Sequence, residues 1–237
     1  MTVNVLFAAT EERWSEYRAP LTEAFAEHGL DVNLSTGIPP EEVDYIVYAP
    51  NSSVQDFTPY TRCKAVLNLW AGVETIVGNS TLTQPLARMV APSLTQGMVE
   101  WVTGHVLRHH LNIDFFLARQ NGKWERHVPP VAAERPVTVL GLGELGTACA
   151  KAIAGLGFPV TGWSRRAKDV PGLTTRHGAE GLEAALASAE ILVLLLPDTP
   201  QTANLIDAKA LATLPEGAMI VNPGRGPLID DDALLAA

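Results

Sequence analysis

Short runs of branched and aromatic residues alternate along the chain with longer stretches whose apolar positions recur every three or four residues. Val3–Ala8 (VNVLFA) has the length and composition of a buried strand. Residues 11–28 read as a helix interrupted at Pro20, which lacks the N–H the helix needs, and stopped by Gly29. Strands are predicted over 30–34, 44–48, 65–69 and 86–90. The longest helical stretch runs from Gln96 to Arg119. Met98, Val102, Val106, His109 and Ile113 form one apolar stripe along it. Asn121-Gly122 and Pro129-Pro130 then mark a loop, with His127 inside it.

A second alternation follows. Strands are predicted at Val137–Leu140, 160–163, 173–176, 191–196 and Met219–Val221, with helices at 145–156, 179–187 and Ala208–Thr213 between them. A last helix begins near Asp230. Strands alternating with helices predict parallel sheets covered on both faces. A length of 237 residues accommodates one large domain or two smaller ones. From Val137 onward the count reaches five strands, whereas a complete dinucleotide-binding sheet has six. The expectation is therefore a chain that stops short of its fold's end, or a sheet whose open edge something else covers.

Composition narrows the picture. Lys and Arg total 17 against 26 Asp and Glu, a net charge of −9 that weighs against a nucleic-acid binder. The longest apolar run, from Ile191 to Leu196, is far below the roughly 20 residues of a membrane span. The N-terminus lacks the pattern of a secretory signal. The two cysteines, Cys63 and Cys149, fit neither a disulfide framework nor a zinc site, and a reducing cytoplasm is the natural setting.

The candidate chemistry gathers where strands end. Gly141-Leu-Gly143-Glu144-Leu145-Gly146 follows one predicted strand and opens a helix. In that context the first glycine makes a tight turn, the second lets a pyrophosphate approach the backbone, and the third lets helix and strand pack. The N–H groups near Glu144 and Leu145 would face the phosphates. At the end of the next strand, where a carboxylate would hold an unmodified ribose, the sequence reads Ser164-Arg165-Arg166. Guanidinium groups there favour the 2′-phosphate of NADP over NAD. The segments 194–202 and 221–226 follow the last two strands, and Arg225 between two glycines has room to clamp a carboxylate.

Taken together, Gly141–Gly146, Leu196-Pro197-x-Thr199-x-x-Thr202 and Asn222-Pro223-Gly224-Arg225-Gly226 resemble the D-isomer-specific 2-hydroxyacid dehydrogenase family. Trp163-Ser164-Arg165, with Trp70-Ala71-Gly72-Val73, is most similar to its glyoxylate/hydroxypyruvate reductase A branch. The resemblance covers the whole chain. It implies an α/β protein: a Rossmann-type doubly wound parallel sheet, incomplete at its C-terminal end, over 98–237, and a flavodoxin-like α/β substrate domain over 1–97. It implies a homodimer built through the helix near Gln96 to Arg119, and NADPH-dependent reduction of a small 2-keto acid such as glyoxylate or hydroxypyruvate.

Residue by residue, the resemblance makes Trp70, Ala71, Gly72 and Val73 the loop whose N–H groups hold the substrate carboxylate. Arg225 becomes the catalytic arginine that orients the carboxylate and polarises the carbonyl. Gly141, Gly143, Glu144, Leu145, Gly146, Ser164, Arg165, Arg166, Pro197, Thr202, Pro223 and Gly224 match cofactor-contacting positions, with NADP preferred and NAD possible. The family's catalytic histidine and the glutamate that raises its pKa lie beyond Ala237. The six histidines present fall in none of these motifs and read as structural or surface residues, His105 being the one a bridging helix could bring near a cleft. A chain naturally 237 residues long would lack its general acid. The alternative reading is then a catalytically incomplete NADP-binding module or an interaction protein.

Overall fold

The computed structural model describes residues 2–237. The chain divides into two compact units, Met1–Val90 and Ala91–Ala237. The division falls seven residues before the boundary expected after residue 97, so the helix starting at Pro92 lies wholly in the second unit.

In the first unit, β1 (Val3–Ala8), β2 (Val32–Ser35), β3 (Tyr45–Tyr48), β4 (Ala65–Asn68) and β5 (Leu86–Ala87) form one parallel sheet in the order β2-β1-β3-β4-β5. That order is the flavodoxin-like one. Alternate residues serve opposite faces. Val5, Phe7 and Val47 pack against Trp14, Tyr17 and Leu21 of α1 (Glu11–Glu27). Leu6, Ile46, Tyr48 and Val66 pack on the other side against Val43, Phe57, Tyr60 and Ile76. These last residues sit in turns and irregular loops, so both faces are covered, one by a helix and the other by loops. Asp44, buried at the start of β3, accepts from the Asn4 backbone N–H (3.0 Å) and from Arg62 (3.1 Å twice). It thereby ties β3 to β1.

The helix α1 is not interrupted at Pro20. Proline deprives one carbonyl of its partner, but Pro20 and Glu16 are exposed and water can take that bond. Gly29 does end the helix, at φ +65°. The Leu30 N–H reaches the Phe25 carbonyl (2.8 Å) and the Gly29 N–H reaches the Ala26 carbonyl (3.0 Å), the paired bonds of a Schellman cap.

The second unit opens with α2 (Pro92–His110) and α3 (Ile113–Ala118). The single helix predicted from Gln96 to Arg119 is thus two, separated where Asn112 adopts a left-handed conformation at φ +53°. The buried stripe also differs from the predicted one. Met98, Val102, Val106 and His110 face the core, each four residues after the last, and His109 is only half-buried.

The sheet of this unit contains β6 (Val137–Leu140), β7 (Val160–Ser164), β8 (Thr174–His177), β9 (Ile191–Leu194) and β10 (Met219–Val221), all parallel, in the order β10-β9-β6-β7-β8. Counted within the unit this is 3-2-1-4-5 read from β8, the doubly wound Rossmann-type order. Val137, Val139, Ile191 and Val193 face Val102 and Val106 of α2 and Cys149 and Ile153 of α4 (Glu144–Gly155). Leu140, Leu192 and Leu194 face α5 (Gly178–Leu186) and α6 (Ala208–Thr213). The buried Thr138 on that second face gives its hydroxyl to the Ala185 carbonyl (3.0 Å). The short α7 (Asp231–Ala236) is capped by the Asp230 side chain. Among the described residues no helix is long and apolar enough to cross a membrane.

Candidate functional site

Strand order in the second sheet reverses at β6, since β7 lies on one side and β9 on the other. The loops leaving β6 and β9 therefore diverge and open a crevice at the carboxyl edge. Gly141 turns the chain there at φ +107°, its N–H held by the Trp163 carbonyl (2.8 Å). A Cβ on Gly141 would lie 2.4 Å from the Leu195 carbonyl oxygen, and one on Gly146 would lie 1.7 Å from the Gly141 oxygen. Both positions are closed to any side chain. Gly143 differs: a Cβ there meets nothing within 4 Å, and the residue is exposed. It faces an open cleft of about 430 Å³ lined by Leu142, Glu144, Thr147, Lys151 and Lys168. The first N–H groups of α4 have no carbonyl one turn earlier and carry the positive end of the helix dipole. Leu145 is half-buried behind the exposed Glu144. Backbone that only a ligand would fill, at a helix start, fits a pyrophosphate.

The end of β7 supplies cationic charge. The Ser164 hydroxyl is buried and donates to the Arg166 carbonyl (2.8 Å), so it shapes the turn. The Trp163 indole N–H anchors the strand end to the Gly178 carbonyl (2.8 Å). Arg165 and Arg166 are exposed, and neither guanidinium makes an ion pair among the described residues. The first acid beyond them, Asp169, is also exposed. Lys168 was not singled out by the motifs, yet it lines the cleft, and its ammonium group donates to the Leu142 carbonyl of the glycine loop. The signal for it was its place as third base in a short run.

The loops after β9 and β10 complete this edge. The Thr202 hydroxyl takes the Thr199 N–H (2.9 Å) and lies 2.6 Å from the Pro197 carbonyl, so it staples the 197–202 loop. Pro197 itself is exposed. The Asn222 side chain clips the next loop, accepting from the Gly224 N–H (3.1 Å) and donating to the Arg225 carbonyl (2.9 Å). A Cβ on Gly224 would lie 2.9 Å from the Leu194 oxygen, so that loop needs glycine to pack on the neighbouring one. Pro223 and Gly224 are half-buried, and Arg225 is exposed.

Trp70, Ala71, Gly72 and Val73 belong to the other unit, in the loop leaving β4. Trp70 is exposed and the next three are half-buried. The backbone N–H groups of Ala71, Gly72 and Val73 donate no hydrogen bond among the described residues. Asn68, which the motifs did not single out, ends β4 beneath this loop.

The histidines lie elsewhere. His105 packs tilted at 4.1 Å against Trp101, His127 stacks at 4.4 Å on Phe115, and His110 packs edge-on at 4.8 Å against Phe158. Burial pushes the His109 and His110 pKa values down, with Arg135 adding to both. His28 caps α1, and His177 closes β8. Burial raises the Cys149 thiol to about 11, which makes it inert. No cluster of potential metal ligands occurs among the described residues.

Comparison with known proteins matches residues 103–237 to the NAD-binding domain of D-isomer specific 2-hydroxyacid dehydrogenases. A glyoxylate/hydroxypyruvate reductase A from Serratia proteamaculans is 34% identical over 184 residues, covering 74% of this chain and 59% of that protein. This chain thus spans less than two thirds of that relative. A D-isomer specific 2-hydroxyacid dehydrogenase from Xanthobacter autotrophicus Py2, solved with NADPH and MES, is 38% identical with a TM-score of 0.89, over 100% of this chain and 77% of that one. An NADPH-dependent glyoxylate/hydroxypyruvate reductase from Sinorhizobium meliloti, solved with NADP and sulfate, is 32% identical with a TM-score of 0.82, over 99% of this chain and 76% of that one.

Proposed function

The chain belongs to the D-isomer specific 2-hydroxyacid dehydrogenase family, and on that premise we propose that it binds NADP(H) and serves the reduction of a small 2-keto acid, glyoxylate or hydroxypyruvate, to the 2-hydroxy acid. The observation that carries this reading is the open backbone at Gly143, set between two sterically locked glycines and beside the basic end of β7. The two relatives described as reductases of glyoxylate and hydroxypyruvate support the substrate class.

In this reading the second unit, with its boundary near the expected 98–237, is the cofactor domain, and the first is the substrate domain. Gly141, Gly143, Glu144, Leu145 and Gly146 present the α4 start to the pyrophosphate. Ser164 shapes the turn that aims Arg165 and Arg166 at the 2′-phosphate, and Lys168 adds a third cation. Pro197, Thr202, Pro223 and Gly224 form the wall along the nicotinamide half. A bound nicotinamide supplies the hydride. Arg225 offers a planar fork to the substrate carboxylate and polarises the keto oxygen. In the first unit, the Ala71, Gly72 and Val73 N–H groups are assigned to binding the substrate carboxylate. No histidine lies in the loops leaving β6, β9 and β10, so the proton for the new hydroxyl is assigned to a group outside them.

The partner proposed is a second copy of the chain, docked through the stretch from Gln96 to Arg119. Trp101, Leu111, Ile113, Phe116 and Leu117 are exposed there. A cytoplasmic setting accompanies this reading. The test is a fluorescence titration with NADPH and NADH, followed by NADPH oxidation with glyoxylate. NADPH should bind at least about tenfold more tightly, because a charge-assisted contact is worth roughly 1.5–3 kcal/mol. Absence of binding by either nucleotide refutes the reading.

A further inference from the structure

The pattern of β4 contains an anomaly. Val66 and Asn68 point to the same buried face, and Asn68 is 5% exposed at a position where the strand calls for an apolar side chain. Its Nδ2 donates to the Trp70 carbonyl at 2.8 Å and to the Gly72 carbonyl at 2.9 Å. Its Oδ1 is buried and has no partner among the described residues. The orientation is unambiguous, since a flipped amide would set an acceptor against two carbonyl oxygens. A buried acceptor without a partner is a standing cost, so the two donor bonds must matter more to the fold or to the site.

What those bonds do follows from peptide geometry. In a trans peptide the C=O and the N–H point in opposite directions. The Trp70 carbonyl shares its peptide with the Ala71 N–H, and the Gly72 carbonyl shares its peptide with the Val73 N–H. Drawing both carbonyls onto Asn68 therefore turns both N–H groups away from it. These are among the N–H groups that donate no hydrogen bond within the described residues. Two N–H groups turned the same way, two residues apart, suit the two oxygens of one carboxylate.

We propose that Asn68 is a positioning residue for substrate: its side-chain amide pins the Trp70 and Gly72 carbonyls so that the Ala71 and Val73 N–H groups stand ready for a carboxylate. The inference rests on the assignment of loop 70–73 to the substrate carboxylate in the proposed function. It adds a residue on which that cradle depends.

The experiment is an amide NMR titration of the whole chain with oxamate, an unreactive 2-keto acid mimic. It compares the wild type with Asn68→Ala and Asn68→Asp and uses NADPH affinity as a control. In the wild type the Ala71 and Val73 amides should shift and saturate. The Asn68 Nδ2 protons should exchange slowly with water. Asn68→Ala should weaken oxamate binding about tenfold or more while NADPH affinity stays within twofold. Asn68→Asp lacks both donors as a carboxylate and regains one when protonated. Its oxamate affinity should rise as the pH falls from 8 to 5, a response that Asn68→Ala does not share. Wild-type amides at 71 and 73 that ignore oxamate would refute the carboxylate assignment and this inference with it. Wild-type amides that respond while both variants bind equally well overturn the role of Asn68 alone. Fast exchange of the wild-type Asn68 Nδ2 protons overturns it even if the variants fail to fold.

Discussion

Gly143 and Gly146 stand three residues apart in one motif, and the structure assigns them opposite liabilities. A Cβ on Gly146 would lie 1.7 Å from the Gly141 carbonyl oxygen, where real contacts stay above 3.0 Å. Gly146→Ala must push α4 away from the turn by more than an ångström, a disturbance of at least about 2 kcal/mol. For a chain of this size that lowers the melting temperature by roughly 4–8 °C. Gly143→Ala meets nothing within 4 Å, and Gly143 has an ordinary φ of −78°. It should leave stability unchanged or raise it by about 0.4–1 kcal/mol, through the lost freedom of the unfolded chain. Its new methyl would nevertheless occupy the path of a phosphate toward the α4 N–H groups. NADPH affinity should fall at least about tenfold, near 1.4 kcal/mol. Thermal unfolding and an NADPH fluorescence titration of the two variants make the comparison. Wild-type affinity in a folded Gly143→Ala would refute the phosphate path. A Gly143→Ala destabilised as strongly as Gly146→Ala would refute the packing on which the contrast rests.

Replacing both Arg165 and Arg166 by alanine should bring the NADPH and NADH dissociation constants within about threefold of each other, chiefly by weakening NADPH; retained preference would move the 2′-phosphate elsewhere. Arg225→Lys keeps the charge and loses the planar fork, so kcat/KM for glyoxylate should drop about 100-fold, read by NADPH oxidation. The Asn4 N–H and then Arg62 hold the Asp44 carboxyl below its usual range. A lowered folded pKa gives stability that is full above the unfolded value near 4 and is lost as the pH falls through the folded value. Asp44→Asn should therefore melt earlier than wild type at pH 7, by about 1–3 kcal/mol, and the gap should close in melts below about pH 4. The depressed pKa values of His109 and His110 act in the same direction at higher pH, with stability declining from about 6.5 downward. His110→Leu should flatten that decline in melts between pH 7 and 5.

Much of the fold was legible because the central strands of the second unit, β6 and β9, are short β-rich runs buried on both faces. Val137–Leu140 and Met219–Val221 fall where the pattern placed them, and so does Ala208–Thr213. What failed was what periodicity does not encode. The break after α2 depends on Asn112 entering the left-handed region, which asparagine tolerates but does not announce. Pro20 was read as an interruption because its cost was counted without the solvent that offsets it. The loops opposite α1 bury Phe57, Tyr60 and Ile76, and no helical spacing marks them as a layer. At the edge of the second sheet the glycines were readable as a motif, whereas Lys168 reaches the Leu142 carbonyl only through the folding of the turn after β7.

The two sites proposed for this chain would obtain their anion-binding groups by different physical routes, and that difference decides which of them sequence can reveal. Any helix start frees N–H groups, because the first turn has no carbonyl behind it. The glycine loop needs only to keep side chains out of the way, and glycine spacing records that requirement. A loop after a strand has no such supply. Its N–H groups turn toward one side only when something holds their carbonyls on the other, and in loop 70–73 that task falls to one buried amide. The trace left in the sequence is a single polar residue on the apolar face of β4. It becomes readable once the register of Asn68 beside Tyr48 fixes which face of the sheet it occupies.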